Sequence, residues 1–200
     1  MKITPSTHIK DLHNTESGRV YLICNGPSAR DFDWSLEPTC GINRAYLLGS
    51  PKWSVGVDSD TRQDLDFWKL GGHVFYPEGS YPGPMLDVLA TSFNWITGDN
   101  WYWCDDPTKQ PIFVGFTLYT ACQLMVWMGF RDLVVVGWDM EVGKHIVPKR
   151  TFTNEAFLRQ AQGANRMAKA AKKYGFDISV VGGEGHPLVG LFPIIKLESV

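Results

Sequence analysis

The sequence has no Lys/Arg-rich run, no C-x-x-C pair and no continuous hydrophobic segment at its start. Each absence excludes a class of protein. The 200 residues carry 19 Lys and Arg against 21 Asp and Glu. No basic stripe stands out from this balance, so a nucleic acid polymer is not an expected partner. The four cysteines, Cys24, Cys40, Cys104 and Cys122, are scattered. They read as reduced core thiols of a cytoplasmic protein, not as a disulfide framework or a zinc site. The opening stretch "MKITPSTHIKDLHNTESG" shows no signal peptide. One uncharged run, "IFVGFTLYTACQLMVWMGF" from Ile112 to Phe130, approaches the length of a membrane span. Gly115 and Thr117 divide it into a short strand and a helix suited to a packed interior, and no membrane span is expected.

What is present is alternation. Apolar strand-like runs recur at 20–24, 39–42, 53–57, 73–76, 112–114, 133–136 and 178–181. The clearest helix is expected over Asn154–Tyr174, with Phe157, Ala161, Ala164, Ala168 and Ala171 on one face. Thr153 or Asn154 would cap it, Lys172 and Lys173 suit its last turn, and Gly175 would end it. Strands alternating with helices predict an α/β fold over residues 1–200: one domain with a Rossmann-like, mainly parallel sheet and helices on both faces. Two stretches break the rhythm. Residues 77–111 are rich in Pro, Gly and aromatics and read as an insertion. Phe93, Trp95, Trp101, Tyr102 and Trp103 there suit a satellite core or a contact within a homo-oligomer better than a stacking platform for a sugar or base. Residues 141–154 carry Lys144, His145, Lys149 and Arg150, the composition of a lid over an anion.

The first strand, "RVYLI", leaves through "CNGPS". Gly26 permits a positive φ and a close approach to the backbone, and Pro27 presets a first helical turn. With Asn25 and Ser28 beside it, this turn is expected to gather free N–H groups at an anion site. In a parallel sheet ligands bind beyond the carboxyl ends of the strands. Asn25 with Gly26, Asn43, Asp58, Gly115 with Thr117, and Asp139 all occupy such positions. Each alone reads as a turn former or cap; together they favour one crevice for a polar small molecule. His186, in "GGEGHPLVGLF", also lies past a strand end and reads as a structural turn residue.

Several stretches together, "VYLICNGPSARDFDW", "GINRAY", "PKWSVGVDSD" and "GFTLYTACQLMVWMGFRDLVVVGWDM", resemble the bacterial sialyltransferase family that makes α2,3- and α2,8-linkages. They are equally similar to the related domain family of 6-hydroxymethylpterin diphosphokinase type. The first resemblance implies a nucleotide-binding domain in which Asn25, Gly26, Ser28, Asn43 and Thr117 contact a cytidine nucleotide, with a lid after "GWDM". The chain departs from that family in the lid: Met140 to Asn154 contains no Tyr, and no histidine stands at Phe157 or Leu158. The second resemblance rests on Asn43, Arg44, Asp58 and Asp139, and implies Mg²⁺ held by Asp58 and Asp139 at neighbouring strand ends.

Three functions follow as expectations. The first is a glycosyltransferase using a nucleotide-sugar of CMP type with no cofactor required. His145 would serve as its base, and Lys144, Lys149 and Arg150 would lie on the departing phosphate. The second is a Mg²⁺-dependent diphosphokinase. The third is a nucleotide-binding or structural protein that reuses the fold without catalysis.

Overall fold

The structure, a computed structural model, describes residues 7–70, 72–79, 90–98, 101–140 and 154–196. Its first strand, β1 (Arg19–Ile23), is buried from Val20 onward, the uninterrupted apolar run of a strand covered on both faces. β2 (Thr39–Ile42) and β3 (Trp53–Val55) follow; then come two short helices, α1 (Ser59–Gln63) and α2 (Leu65–Leu70), and β4 (His73–Pro77) and β5 (Ala90–Phe93). A two-stranded ribbon, β6 (Trp95–Ile96) with β7 (Ile112–Phe113), precedes the buried helix α3 (Thr117–Met128). β8 (Asp132–Val136), the long helix α4 (Asn154–Tyr174), β9 (Asp177–Val181) and β10 (Ile194–Ile195) complete the order.

Among the described residues the main sheet has eight strands, in the order β10-β9-β8-β1-β2-β3-β4-β5. Its neighbours are parallel; Tyr21, for example, stands opposite Thr39 on one side and Val134 on the other. Alternation along β1 sends Val20 and Leu22 into the core shared with α3 and α4. Tyr21 and Ile23 go to the opposite face, against Ala29, Phe32 and Ala45. The predicted fold class is therefore the observed one, an α/β sheet with helices on both faces.

α3 buries ten of its twelve residues. At about 1.5 Å per residue it is about 18 Å long, well short of a bilayer core of about 30 Å. Among the described residues no helix is long and apolar enough to cross a membrane. Gln123, 2% exposed in the middle of α3, is satisfied on both ends of its amide. Its Nε2 donates to the carbonyls of Phe113 and Tyr119, and its Oε1 accepts the Cys104 N–H at 2.9 Å. α4 begins and ends where the periodicity places it. Its buried line is Gly163, Ala164, Met167 and Ala170, with the expected Phe157, Ala161, Ala168 and Ala171 packed half-buried beside it. Gly175 takes a φ of 69°, and Phe176 N returns to the Ala171 carbonyl, which closes the helix.

Within the stretch 77–111, read as an insertion, Ala90–Phe93 pairs with β4 as the outermost strand of the main sheet. One expectation is corrected. Ile112–Phe113, expected as a sheet strand, pairs instead with β6. The aromatics of this stretch mainly extend the core: Phe93 is buried, and Trp103 stacks on Tyr174 and Phe176 at 5.8 and 5.1 Å.

Candidate functional site

The chain adds strands outward from β1 to β5, then crosses over to lay β8 against the free side of β1. The connections leaving β1 and β8 diverge at this switch point, and divergence opens a crevice at the carboxyl edge. A cleft of about 880 Å³ lies there. Of the residues singled out in the sequence, Asn25, Gly26, Asn43, Asp58, Gly115, Thr117 and Asp139 all line it. Ser28 does not. Lys144, His145, Lys149 and Arg150, with the stretch 141–153, lie outside the described residues.

Of the two reasons expected for the glycine of the Asn-Gly-Pro-Ser turn, the close approach holds and the positive φ does not. Gly26 has a φ of −82°, open to any residue, and it precedes a single 3-10 turn, Pro27–Ala29. Space makes it glycine. A Cβ at Gly26 would stand 2.4 Å from the Gly137 carbonyl oxygen and 2.3 Å from Asp139 Oδ2. The β1 and β8 ends are stitched together here. Gly26 N donates to the Gly137 carbonyl at 2.8 Å, Ser28 N to Asp139 Oδ2 at 2.9 Å, and Gly137 N to Ser28 Oγ at 3.1 Å. The Ser28 amide expected to meet a ligand's anion is thus held by the chain's own carboxylate, and one 3-10 turn has little dipole to add.

The polar centre of the cleft is Asn43. Its φ of 51° is in the left-handed region, which Asn tolerates better than most residues. This conformation lets its Nδ2 donate twice, to Asp58 Oδ2 at 3.0 Å and to Thr117 Oγ1 at 3.1 Å. One amide therefore ties together the ends of β2, β3 and α3. Because Thr117 Oγ1 accepts from Asn43, its own hydroxyl hydrogen is left to donate elsewhere. Thr117 opens α3, where among the described residues no side chain caps the N-terminus, and no acidic residue occupies the first turn. A twelve-residue helix left open this way turns its first N–H groups and its positive dipole end toward the cleft.

Asn25 adds the opposite demand. Its Nδ2 donates to the Ile42 carbonyl at 3.2 Å, while its Oδ1 is buried without a partner. An unsatisfied acceptor of this kind costs about 1–3 kcal/mol, which a ligand hydroxyl or amino group can remove. Cys24, on the cleft floor, is no nucleophile. Burial, with Asp139 and Cys40 nearby, pushes its thiol far above the ordinary range, and the reactive thiolate is suppressed.

The two carboxylates proposed for Mg²⁺ are not on neighbouring strands. β1 and β2 lie between β8 and β3, which places the strand ends about 14 Å apart, three spacings of about 4.8 Å. Asp139 is held by Ser28 and Asp58 by Asn43. Among the described residues no group of three or more His, Cys, Asp and Glu side chains is placed to hold a metal.

Arg44, one of the residues behind the diphosphokinase-type resemblance, also lines the cleft, as does Trp101 from the aromatic stretch. The contribution of the long helix was not anticipated from the sequence. Glu155, Arg159 and Gln162 come from α4. Their spacing of four and three residues, on a helix whose apolar face was already assigned, was the available signal. Gln160 accepts the Trp138 indole N–H at 2.7 Å and joins α4 to the β8 exit. His186 is structural: its Nδ1 accepts the Leu188 N–H and its Nε2 donates to the Trp138 carbonyl at 3.1 Å.

No protein-family model matches the chain, and no curated protein sequence does. Solved structures do. One is the sialyltransferase CST-II in complex with a trisaccharide acceptor and CMP: 12% identity, 91% of this chain and 88% of that one, TM-score 0.53. A point mutant of α-2,3/8-sialyltransferase CstII matches at 13% identity, over 91% and 89%, with a TM-score of 0.55. CstII from Campylobacter jejuni in complex with cytidine-5'-monophosphate matches at 13%, over 90% and 85%, with a TM-score of 0.53. At these identities the likeness is one of fold. The resemblance to the 6-hydroxymethylpterin diphosphokinase type draws no support from them.

Proposed function

We propose that the protein is a glycosyltransferase that takes its sugar from a CMP-linked donor bound in this cleft, without a metal ion. The observation that carries the reading is the pairing of demands at the switch point. Asn25 Oδ1 asks for a hydroxyl or amino donor, while Thr117 and the open end of α3 ask for an anion. A nucleoside monophosphate supplies both, with ribose or base on one side and phosphate on the other. The volume lies toward the upper end of the roughly 300–1,000 Å³ typical of small-molecule sites, which leaves room for an acceptor beside the nucleotide. The solved structures of like fold that contain CMP support the same choice of base.

The chemistry asked of the site is a displacement. An acceptor hydroxyl oxygen attacks the anomeric carbon, the bond from that carbon to the phosphate oxygen breaks, and CMP leaves with the electron pair. The α3 N–H groups and the Thr117 hydroxyl stabilise the charge gathering on the phosphate. The acceptor's proton goes to a base, and His145 is proposed for it on the sequence alone. His145→Ala is expected to lower transfer by about 10²–10⁴-fold while leaving nucleotide binding unchanged.

Thermal melting against cytidine, CMP, CDP, UDP, GDP and ATP, each with and without Mg²⁺, tests the reading. CMP at a hundred times its dissociation constant should stabilise the fold by about 2.7 kcal/mol, or about 5–10 °C for a chain of this size. The shift should be indifferent to Mg²⁺ and reduced in Asn25→Ala. A shift that requires both a triphosphate and Mg²⁺ would replace this reading with phosphoryl transfer. No shift with any nucleotide would remove it.

A further inference from the structure

Arg44 stands on the cleft wall at the carboxyl end of β2, directly after Asn43. Its hydrogen bonding is incomplete. Nη2 reaches Asp60 Oδ2 at 3.4 Å, a long contact for an ion pair, and Nε is cut off from water with no hydrogen-bond partner. Asp60 meanwhile accepts the Thr61 N–H at 2.9 Å through its other oxygen. The side chain is 25% exposed, but that exposure does not extend to Nε. The Nε–Nη edge of a guanidinium is a planar fork that matches two oxygens of one phosphate or carboxylate. In Arg44 that fork is half used. Arg159, across the cleft on α4, differs on each count: its side chain is 59% exposed and stands 3.9 Å from Glu155 in the ordinary manner of a helix-surface pair.

We propose that Arg44 is the residue that reads an oxyanion of the bound ligand, either the nucleotide's phosphate or a carboxylate on the sugar it carries. The inference rests on the nucleotide reading of the cleft. Thr117, at the start of α3, is hydrogen-bonded to the neighbouring Asn43 and lines the same cleft, so a helix N-terminus and a guanidinium share this site. The competing role for Arg44 is structural, a tie from β2 to α1 through Asp60. Arg44→Lys separates the two roles: lysine keeps the charge and can still pair with Asp60, but it has no fork.

The test is calorimetric titration of wild type, Arg44→Lys and Arg44→Gln with cytidine, CMP and CMP-linked sialic acid, with a melt of each free protein to confirm folding. Both variants should lose at least about tenfold in affinity for an oxyanion-bearing probe, with cytidine unchanged. A loss already seen with CMP makes the phosphate the group that is read. A loss confined to CMP-linked sialic acid makes it the carboxylate. Equal affinities for all three probes across the three proteins overturn the proposal. If the wild type binds no cytidine compound, the nucleotide reading fails on its own, and inorganic pyrophosphate then decides for Arg44. A pyrophosphate-induced shift lost in the variants retains the proposal, and an unchanged or absent shift overturns it. Should Arg44→Gln fail to fold, Arg44→Lys carries the same decision.

Discussion

Gly26→Ala is expected to lower the melting temperature by about 6–12 °C, the equivalent of about 3 kcal/mol or more for a chain of this length. The added methyl would meet the Gly137 carbonyl oxygen at 2.4 Å and Asp139 Oδ2 at 2.3 Å. The carboxylate end could swing away, at the loss of its bond to Ser28 N. The carbonyl cannot, since it belongs to the strand end that accepts the Gly26 N–H. Relief therefore means parting β1 from β8 at the point where the cleft begins, and ligand binding should fall with stability. Gly183→Ala is the matched control. It has no atom within 4 Å of its added Cβ and no left-handed φ, so it should melt close to wild type. If the two variants melt together, the close junction of the two strand ends is not as described.

The second large effect is expected at Asn43, and it inverts a familiar order. Asn43→Ala removes a charge-assisted bond to Asp58, worth about 1.5–3 kcal/mol, and places alanine at a φ of 51°, which costs about 1–2 kcal/mol more. Asn43→Gly removes the same amide without the backbone cost. Glycine should therefore be the more stable of the two variants by about 1 kcal/mol, although it usually ranks below alanine. Both should weaken CMP binding by about 10–100-fold, since the Thr117 hydroxyl loses the donor that orients it. Chemical denaturation of the pair, with a CMP titration on each, checks both parts. An alanine variant more stable than the glycine one would refute the left-handed conformation. Unchanged CMP affinity in both would remove Asn43 from the binding machinery.

Much of this molecule was legible in one dimension. β1, β2 and α4 stand where hydrophobic runs and helical spacing put them, because burial on two faces or along one stripe imposes its own period. The polar exits were legible too, since a parallel sheet collects its strand ends on one edge, and seven of those residues share one cleft. The α4 contribution was missed because polar residues on an amphipathic helix look alike whether they face solvent or a cleft.

Strand order and every consequence of it belong to the tertiary structure. Local pattern does not say that β8 pairs with β1, and that pairing, with β1 and β2 in between, sets Asp58 and Asp139 three strands apart. The same pairing presses Gly137 against Gly26, across more than a hundred residues of chain, and so explains the glycine in the first turn. Packing elsewhere in the sheet likewise decides that an aromatic-rich stretch supplies an edge strand, and that Arg44 ends beside Asp60 with its fork half filled. Backbone preference and hydrophobic period act between near neighbours and can be read in sequence. Contact between distant segments is decided by packing, where each carbonyl and carboxylate meets whatever the fold brings to it.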